Sequence, residues 1–333
     1  MNEKLSRKNF IKSSLLVAAN LSVAMNFIAE ETGATELNNT LLPLSSSNAE
    51  KPKICIFSKH LQWLNYKDMA ELVTEIGFDG IDLTVRKGGH VLPEKAVEDL
   101  PAAVETVRKA GVDVFMLSTD IQNAKEPFTE EILKAAAAKH IKYYRTGWFE
   151  YKNDTTIQDN LAMIKEQFSG LSELNKKHGT CGVYQNHAGA NFGSPVWDLW
   201  LAIKDFHPDL ISCQYDIRHA TVEGANSWPL GLNILKNNIR TLDIKDFRWE
   251  KNNNNQWQAK SVPLGEGMVD FKKYFSLIKQ YNISGPMSLH YEYPLGGAEE
   301  GAKKISISTK EFVTAVKKDL LYLKELLKEA EIL

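Results

Sequence analysis

Cysteine is scarce. The three in 333 residues, Cys55, Cys181 and Cys213, form no CxxC pair. That excludes a disulfide framework and a zinc knuckle, and the three read as small apolar residues near strand ends. Net charge is also nearly absent, at −2, so the chain carries no basic footprint for a nucleic-acid backbone and no nucleic-acid partner is expected. No GxGxxG follows the first candidate strand, which argues against an open, doubly wound dinucleotide-binding sheet. There is no internal repeat. An apolar run over 15–28 falls short of the roughly 20 residues of a membrane span and contains Asn20 and Asn26. What is present is ordinary for a soluble globular protein: 43% hydrophobic and 25% charged residues. The length suits one barrel of about 250 residues with an N-terminal extension.

Lys4, Arg7, Lys8 and Lys12 precede that apolar run. A charged segment ahead of an apolar one is the pattern of an export signal. Residues 6–12 resemble a twin-arginine signal with Lys8 in the second arginine position, and no cysteine beside the run suggests a lipoprotein. The expected organisation is a signal over 1–30, a polar Ser/Asn-rich linker over 31–52 and a folded domain over 53–333, with the mature protein in the periplasm and no stable membrane association after cleavage. The alternative is a single uncleaved anchor.

From residue 54 onward, short runs rich in β-branched and aromatic residues alternate with longer helical patterns. Such alternation predicts βαβ units and a parallel sheet. Strands are expected at 54–57, 80–85, 112–118, 141–146, 182–186, 210–215, 240–244 and 286–291. Helices are expected at 66–76, 96–110, 128–139, 155–178, 195–205, 228–237, 269–281 and 308–331. Gly77, Gly111 and Gly179 stand where left-handed helix C-caps belong. Eight units close most readily into a (β/α)8 TIM barrel, an α/β fold.

Barrel strands are covered by helices, so their interiors should be apolar and polar residues at their C-terminal ends are informative. The fifth strand ends in Tyr184-Gln185-Asn186-His187 and the sixth in Gln214-Tyr215-Asp216-Ile217-Arg218-His219. The seventh reads Leu242-Asp243-Ile244-Lys245-Asp246 and the eighth ends in Leu289-His290-Tyr291-Glu292-Tyr293. Period-2 alternation puts Gln185 with His187, Gln214 with Asp216, Asp243 with Lys245 and His290 with Glu292 on common faces. Four consecutive strands thus bring titratable or metal-capable groups to one rim. Buried there, such groups must satisfy one another, a metal or a ligand. Their oxygen and imidazole donors suit Mn²⁺, Mg²⁺, Zn²⁺ or Co²⁺.

These residues carry a resemblance. Gly77-Phe78-Asp79-Gly80-Ile81-Asp82, Asn186-His187, Asp216-x-x-His219, Lys245-Asp246 and Gly265-Glu266-Gly267 with Asp270 are similar to the markers of the xylose isomerase-like barrel superfamily. That group includes sugar isomerases and epimerases and endonuclease IV. Further wording, Phe57-Ser58-Lys59-His60, Asp82-Leu83-Thr84-Val85-Arg86 and Gly88-Gly89-His90, resembles a secreted bacterial subgroup. The resemblance implies a divalent ion held by a Glu after the fifth strand, an Asp after the sixth, a His in the seventh and a Glu after the eighth. Carried onto this chain, those positions are Gln185, Asp216, Asp243 and His290. Only the aspartate is unchanged, and Glu292 stands ready to supply a missing carboxylate.

The expected function is divalent-metal-dependent isomerisation or epimerisation of a keto-sugar or sugar derivative through an enediolate, with His187, Lys245 and Glu292 as base or acid. Lys245 has a second reading as an ion-pair partner of Asp216 or Asp246. Lys59, Arg86, His90, Arg145, His219 and Trp148 are expected to bind the small carbohydrate substrate. The alternatives are a lyase or hydrolase acting on 3-keto-glycosides and a non-catalytic sugar-binding barrel. A trinuclear-zinc endonuclease is disfavoured by only 8 histidines. Oligomeric state is left open.

Overall fold

Ile-Cys-Ile-Phe at 54–57 is buried at every position, as a parallel strand covered on both faces must be. It forms β1 (Ile54–Phe57), the first stave of a closed barrel in a computed structural model that describes residues 51–333. The other staves are β2 (Gly80–Val85), β3 (Asp113–Thr119), β4 (Tyr143–Arg145), β5 (Cys181–Gln185), β6 (Ile211–Asp216), β7 (Ile239–Ile244) and β10 (Met287–Leu289). Each pairs in parallel with the next, and β10 closes on β1 through Ile54↔Met287, Cys55↔Ser288 and Ile56↔Leu289. The TIM barrel expected from the alternation is the observed fold. The signal expected over 1–30 and nearly all of the expected linker lie outside the described residues. Among the described residues no helix is long and apolar enough to cross a membrane.

Helices α1 (Tyr66–Ile76), α2 (Ala96–Lys109), α3 (Thr129–Ala138), α4 (Ile157–His178), α5 (Trp197–Ile203), α6 (Ile217–Gly224), α7 (Trp228–Leu235), α8 (Phe271–Gln280) and α9 (Thr309–Glu329) surround the strands. Local chemistry sets their ends. Asn65 and Thr156 accept from Asp68 N and Asp159 N at the starts of α1 and α4. Ser308 and Glu311 form a reciprocal capping box on α9. Gly77 and Gly179 take φ 98° and 73° as left-handed C-caps, a conformation that costs glycine nothing. Gly111 sits one residue past the α2 cap, also at positive φ.

Two elements depart from the sequence reading. One is the hairpin of β8 (Asp246–Lys251) and β9 (Trp257–Val262), antiparallel and separate from the barrel sheet. Its turn is fastened by Asn252, whose Oδ1 accepts from Asn254 N and Gln256 N. Half of its strand residues are exposed, Arg248, Lys251, Gln258 and Lys260 among them, so no hydrophobic run announces it. The other is α6, which starts directly on Asp216. Its first turn is capped by the Asp216 carboxylate accepting from His219 N at 3.0 Å. That accounts for the Asp216-x-x-His219 spacing as an N-cap with its N3 residue.

Candidate active site

Asp216 and Asp243 face each other in register where β6 pairs with β7, and Ser288 of β10 faces Asp243 in turn. All three are fully buried. Beyond the strand ends, Lys245 follows Asp243 by two residues, and His290 and Glu292 follow Ser288 by two and four. By contact the polar side chains sort into two levels, one around the Asp243–His290 pair and one around Lys245.

At the first level Asp243 Oδ1 lies 3.2 Å from His290 Nε2 and accepts from Gln214 Nε2 at 2.5 Å. Asp82 of β2 accepts from Ser118 Oγ and Ser288 Oγ, both at 2.9 Å, and its Oδ2 is 4.0 Å from His290 Nε2. Burial alone would favour neutral groups here. It works against charge on His290, but the Asp243 carboxylate outweighs it and raises the imidazole above its ordinary range. Burial likewise opposes charge on Asp243, and His290 outweighs it and holds the carboxyl low. Asp243 and His290 are therefore an ion pair. Asp82 is pushed up to about 6 by burial, against the pull of His290. The Phe57 ring stacks on His290 at 4.4 Å between centroids and closes this level.

At the second level Lys245 Nζ lies 3.1 Å from Asp216 Oδ2 and 2.8 Å from Glu292 Oε1. The lysine side chain is 3% exposed and that of Glu292 is 30% exposed, so the glutamate is the member that meets solvent. Burial disfavours the ammonium, but the Asp216 and Glu292 carboxylates raise it above the ordinary lysine range. Burial pushes Glu292 up and Lys245 more than reverses this, leaving it well below the usual carboxylate range. Gln185 Nε2 donates to Asp216 Oδ2 at 2.9 Å while its Oε1 accepts from Arg145 Nη1 at 3.1 Å. Arg145 keeps Nε and Nη2 buried with no hydrogen-bond partner, and its guanidinium lies over the Trp148 ring at 4.4 Å.

His187 and His219 pack against each other with ring centroids 3.9 Å apart and planes tilted by 37°. Burial, then the Lys245 charge, lowers His187 to about 4 and carries His219 well below its ordinary value, so both rings are neutral at pH 7. His219 Nδ1 receives Arg218 Nη1 at 2.9 Å, which leaves the ring proton on Nε2, 3.6 Å from Asp216 Oδ2. Trp148 meets His187 edge-on at 5.0 Å. Both line a cleft of about 400 Å³ together with Asp120, Gln122, Glu150 and Asn191.

Gln185, Asp216, Asp243 and His290 all reach the barrel mouth, but they do not share a point. They separate into a Gln185–Asp216 contact and an Asp243–His290 ion pair. Among the described residues no three His, Cys, Asp or Glu side chains are placed to hold a metal ion. The donor set does not fit a divalent cation. The Gln185 amide turns its oxygen to a guanidinium and its NH₂ toward Asp216. One Asp216 oxygen caps α6 and the other faces the Lys245 ammonium. The described residues thus do not present the expected four-ligand set, Gln185, Asp216, Asp243 and His290, around one point.

Of the residues expected to bind substrate, Arg145, His219 and Trp148 join the site as described. Arg86 stands beside them, its Nη1 3.9 Å from Asp120 Oδ1 and its guanidinium over Phe57 at 5.5 Å. Burial lowers Lys59, which senses the Glu292 charge. His90 does not face the site. Its Nε2 meets Leu61 O at 3.1 Å and its Nδ1 meets Thr84 Oγ1 at 3.3 Å, so it fastens the loop after β2. Lys245 pairs with Asp216 and not with Asp246. Asp246 instead accepts from the backbone N–H groups of Phe247, Gly265, Gly267 and Val269.

Three participants were not singled out in the sequence as site residues: Asp82, Gln214 and Asp120. The first two share their strand faces with Thr84 and Asp216, a signal period-2 reading could have used. Asp120 lies just past β3, where no neighbouring pattern marks it.

The family described as "Xylose isomerase-like TIM barrel" matches residues 70–308. None of the curated proteins matches the chain. Among solved structures, a 3-keto-D-glucoside 4-epimerase from E. coli superposes with TM-score 0.60 at 15% identity, over 83% of this chain and 100% of that one. A D-psicose 3-epimerase from Clostridium cellulolyticum H10 superposes with TM-score 0.61 at 12% identity, over 83% and 99%. A probable 3-DHS dehydratase from Bacillus anthracis gives TM-score 0.58 at 17% identity, over 81% and 98%.

Proposed function

Because the chain belongs to the xylose isomerase-like TIM barrel family, we propose that it is a sugar isomerase or epimerase that removes a proton from a carbon beside a carbonyl of a keto-sugar or sugar derivative. One observation carries this reading: Lys245 Nζ is held between the Asp216 and Glu292 carboxylates at the barrel's C-terminal mouth, with Glu292 the solvent-facing member. A solvent-facing carboxylate beside a buried ammonium is equipped to take a proton from carbon while positive charge meets the oxygen that turns negative. The shared fold of the two epimerases supports a carbohydrate as the substrate.

Glu292 is the base. His187, neutral and half-buried, exchanges a proton with the substrate oxygen or on the opposite face of the carbon. The exposed part of the Trp148 ring offers an apolar surface to sugar C–H groups, and the Arg145 guanidinium packed against that ring keeps two buried nitrogens without a partner. Incubation with keto-sugars in D₂O tests the reading. Incorporation of deuterium at carbon in at least one of them is expected, and sugar binding without exchange would leave a non-catalytic sugar-binding barrel.

The cleft beside Trp148 favours one second reading. It has room for a further ring, so a 3-keto-glycoside would place its leaving group there, and the same proton removal would end in elimination. An unsaturated product from a 3-keto-glycoside, absent with a simple ketose, distinguishes the lyase.

A further inference from the structure

We infer that Lys245 is this barrel's built-in cation, standing where the family resemblance calls for a divalent ion, so that the chain neither binds nor needs a divalent metal and meets the substrate oxyanion with an ammonium group. The inference rests on the isomerase/epimerase reading for the identity of the oxyanion. The geometry of the cation is independent of it.

Four contacts support it. Gln185 stands at a position where the resemblance implies a glutamate, and its amide is oriented by Arg145 and Asp216 in a way that keeps the oxygen off any shared cation. Asp216, the one unchanged position, divides its two oxygens between a helix cap and the Lys245 ammonium. Asp243 and His290, at the positions implied for a histidine and a glutamate, neutralise each other at 3.2 Å. Glu292, two residues past the implied ligand position, reaches Lys245 at 2.8 Å. A dication placed among Asp216, Gln185 and Glu292 would sit against both Lys245 and Arg145, and like charges at such range in a low-dielectric site repel strongly. An ammonium has three N–H donors; Lys245 donates one to Glu292 and meets Asp216 as an ion pair.

The chemistry balances without a further reagent. The substrate C–H bond breaks and its electron pair becomes the C=C bond of the enediolate. The carbonyl π pair moves onto oxygen, and the proton passes to Glu292. The carboxylate's charge is thereby lost as the oxyanion's charge appears, so the net charge around Lys245 stays constant. The N–H that faced Glu292 becomes free for the new anion in the same event. Return of the proton to the neighbouring carbon, with the hydroxyl proton passing from its oxygen to the former carbonyl oxygen so that the first becomes the new carbonyl, completes an isomerisation.

Calorimetric titration of the chelator-dialysed wild-type protein with Mn²⁺, Mg²⁺, Zn²⁺ and Co²⁺ decides the first half without reference to activity. No saturable binding is expected. One ion bound stoichiometrically at micromolar concentration overturns the inference. The triple variant Q185E/D243H/H290E combined with K245M restores the implied ligand set and is expected to gain a stoichiometric Mn²⁺ site; failure of that folded variant to bind where the wild type does bind would also count against it. The second half is read in the deuterium-exchange assay with an active sugar. Exchange unchanged by chelator, a kcat reduced about 100-fold or more in K245M with little change in KM, and partial recovery in K245R are expected. Loss of exchange on chelation, or a K245M enzyme with undiminished kcat, overturns it. If no sugar exchanges at all, the proposed function fails while the metal titration still decides the cation.

Discussion

Asn186 and Asp216 are joined by two hydrogen bonds across the β5–β6 boundary: Asn186 Nδ2 donates to Asp216 O at 3.0 Å, and Asp216 N donates to Asn186 Oδ1 at 2.8 Å. The side chain thereby acts as one more backbone rung at the point where the β5–β6 ladder ends, and it fixes the carboxylate that orients Lys245. Replacing Asn186 by Ala leaves a buried N–H and C=O unpartnered, at a cost of about 1–3 kcal/mol. Asn186→Ala should lower kcat more than it raises KM, with the stability loss seen in urea unfolding. Asn186→Asp retains only the acceptor and should fall further, because it adds a negative charge against Asp216. An Asn186→Ala enzyme with wild-type kcat would show that the rung does not position the site.

The loop over 265–269 is folded around one carboxylate. Asp246 receives four backbone N–H groups, and a Cβ at Gly267 would lie 2.1 Å from Asp246 Oδ1. Asp246→Ala should destabilise the protein by about 2–4 kcal/mol. It should also raise amide hydrogen exchange at 265–269 and in the β8–β9 hairpin. Gly267→Ala should do the same by displacing the carboxylate. Unchanged protection in either variant would sink the clamp.

Asp319 of α9 is buried, accepts from Tyr293 Oη at 3.0 Å, and is pushed up to about 7, chiefly by burial. A carboxyl raised above its unfolded value binds a proton in the folded state across the window from about 4 to 7, where the unfolded chain has released it. Its contribution is therefore favourable at low pH and is lost as pH rises through 7, a span worth on the order of 2–4 kcal/mol. Asp319→Asn, neutral at every pH, should be more stable than wild type at pH 8, and the gap should narrow steadily on acidification and close near pH 4. A gap that widens on acidification would reverse the assignment.

Trp148 offers its partly exposed ring to the cleft while Arg145 lies over it. Trp148→Ala should weaken sugar binding by about 1 kcal/mol, roughly fivefold to tenfold in KM, with a smaller effect on kcat. Wild-type tryptophan fluorescence should respond to the bound sugar and lose most of that response in the variant. Equal affinity in both proteins would place the sugar elsewhere on the rim.

The barrel was legible along the chain because its evidence is local. Fully apolar runs such as 54–57, alternating with amphipathic segments and glycine C-caps at Gly77 and Gly179, require no knowledge of distant contacts. The location of the site was legible for the same reason, since polar residues at the ends of buried strands have nowhere to point but the mouth. The β8–β9 hairpin was not, because half-exposed strands held by an asparagine turn carry no hydrophobic period. Partnership among the site residues was not legible either. Strand alternation places Gln185, Asp216, Asp243, Lys245, His290 and Glu292 on one rim, yet says nothing of which of them meet. Two separate contact sets drawn from strands in register, one carboxylate oxygen committed to capping α6, and an amide turned by Arg145 are settled only when eight strands close. The closure puts the Lys245 ammonium at the centre of the carboxylates, and this contact between residues 29 and 47 positions apart separates the chain's chemistry from the ligand pattern its motifs resemble.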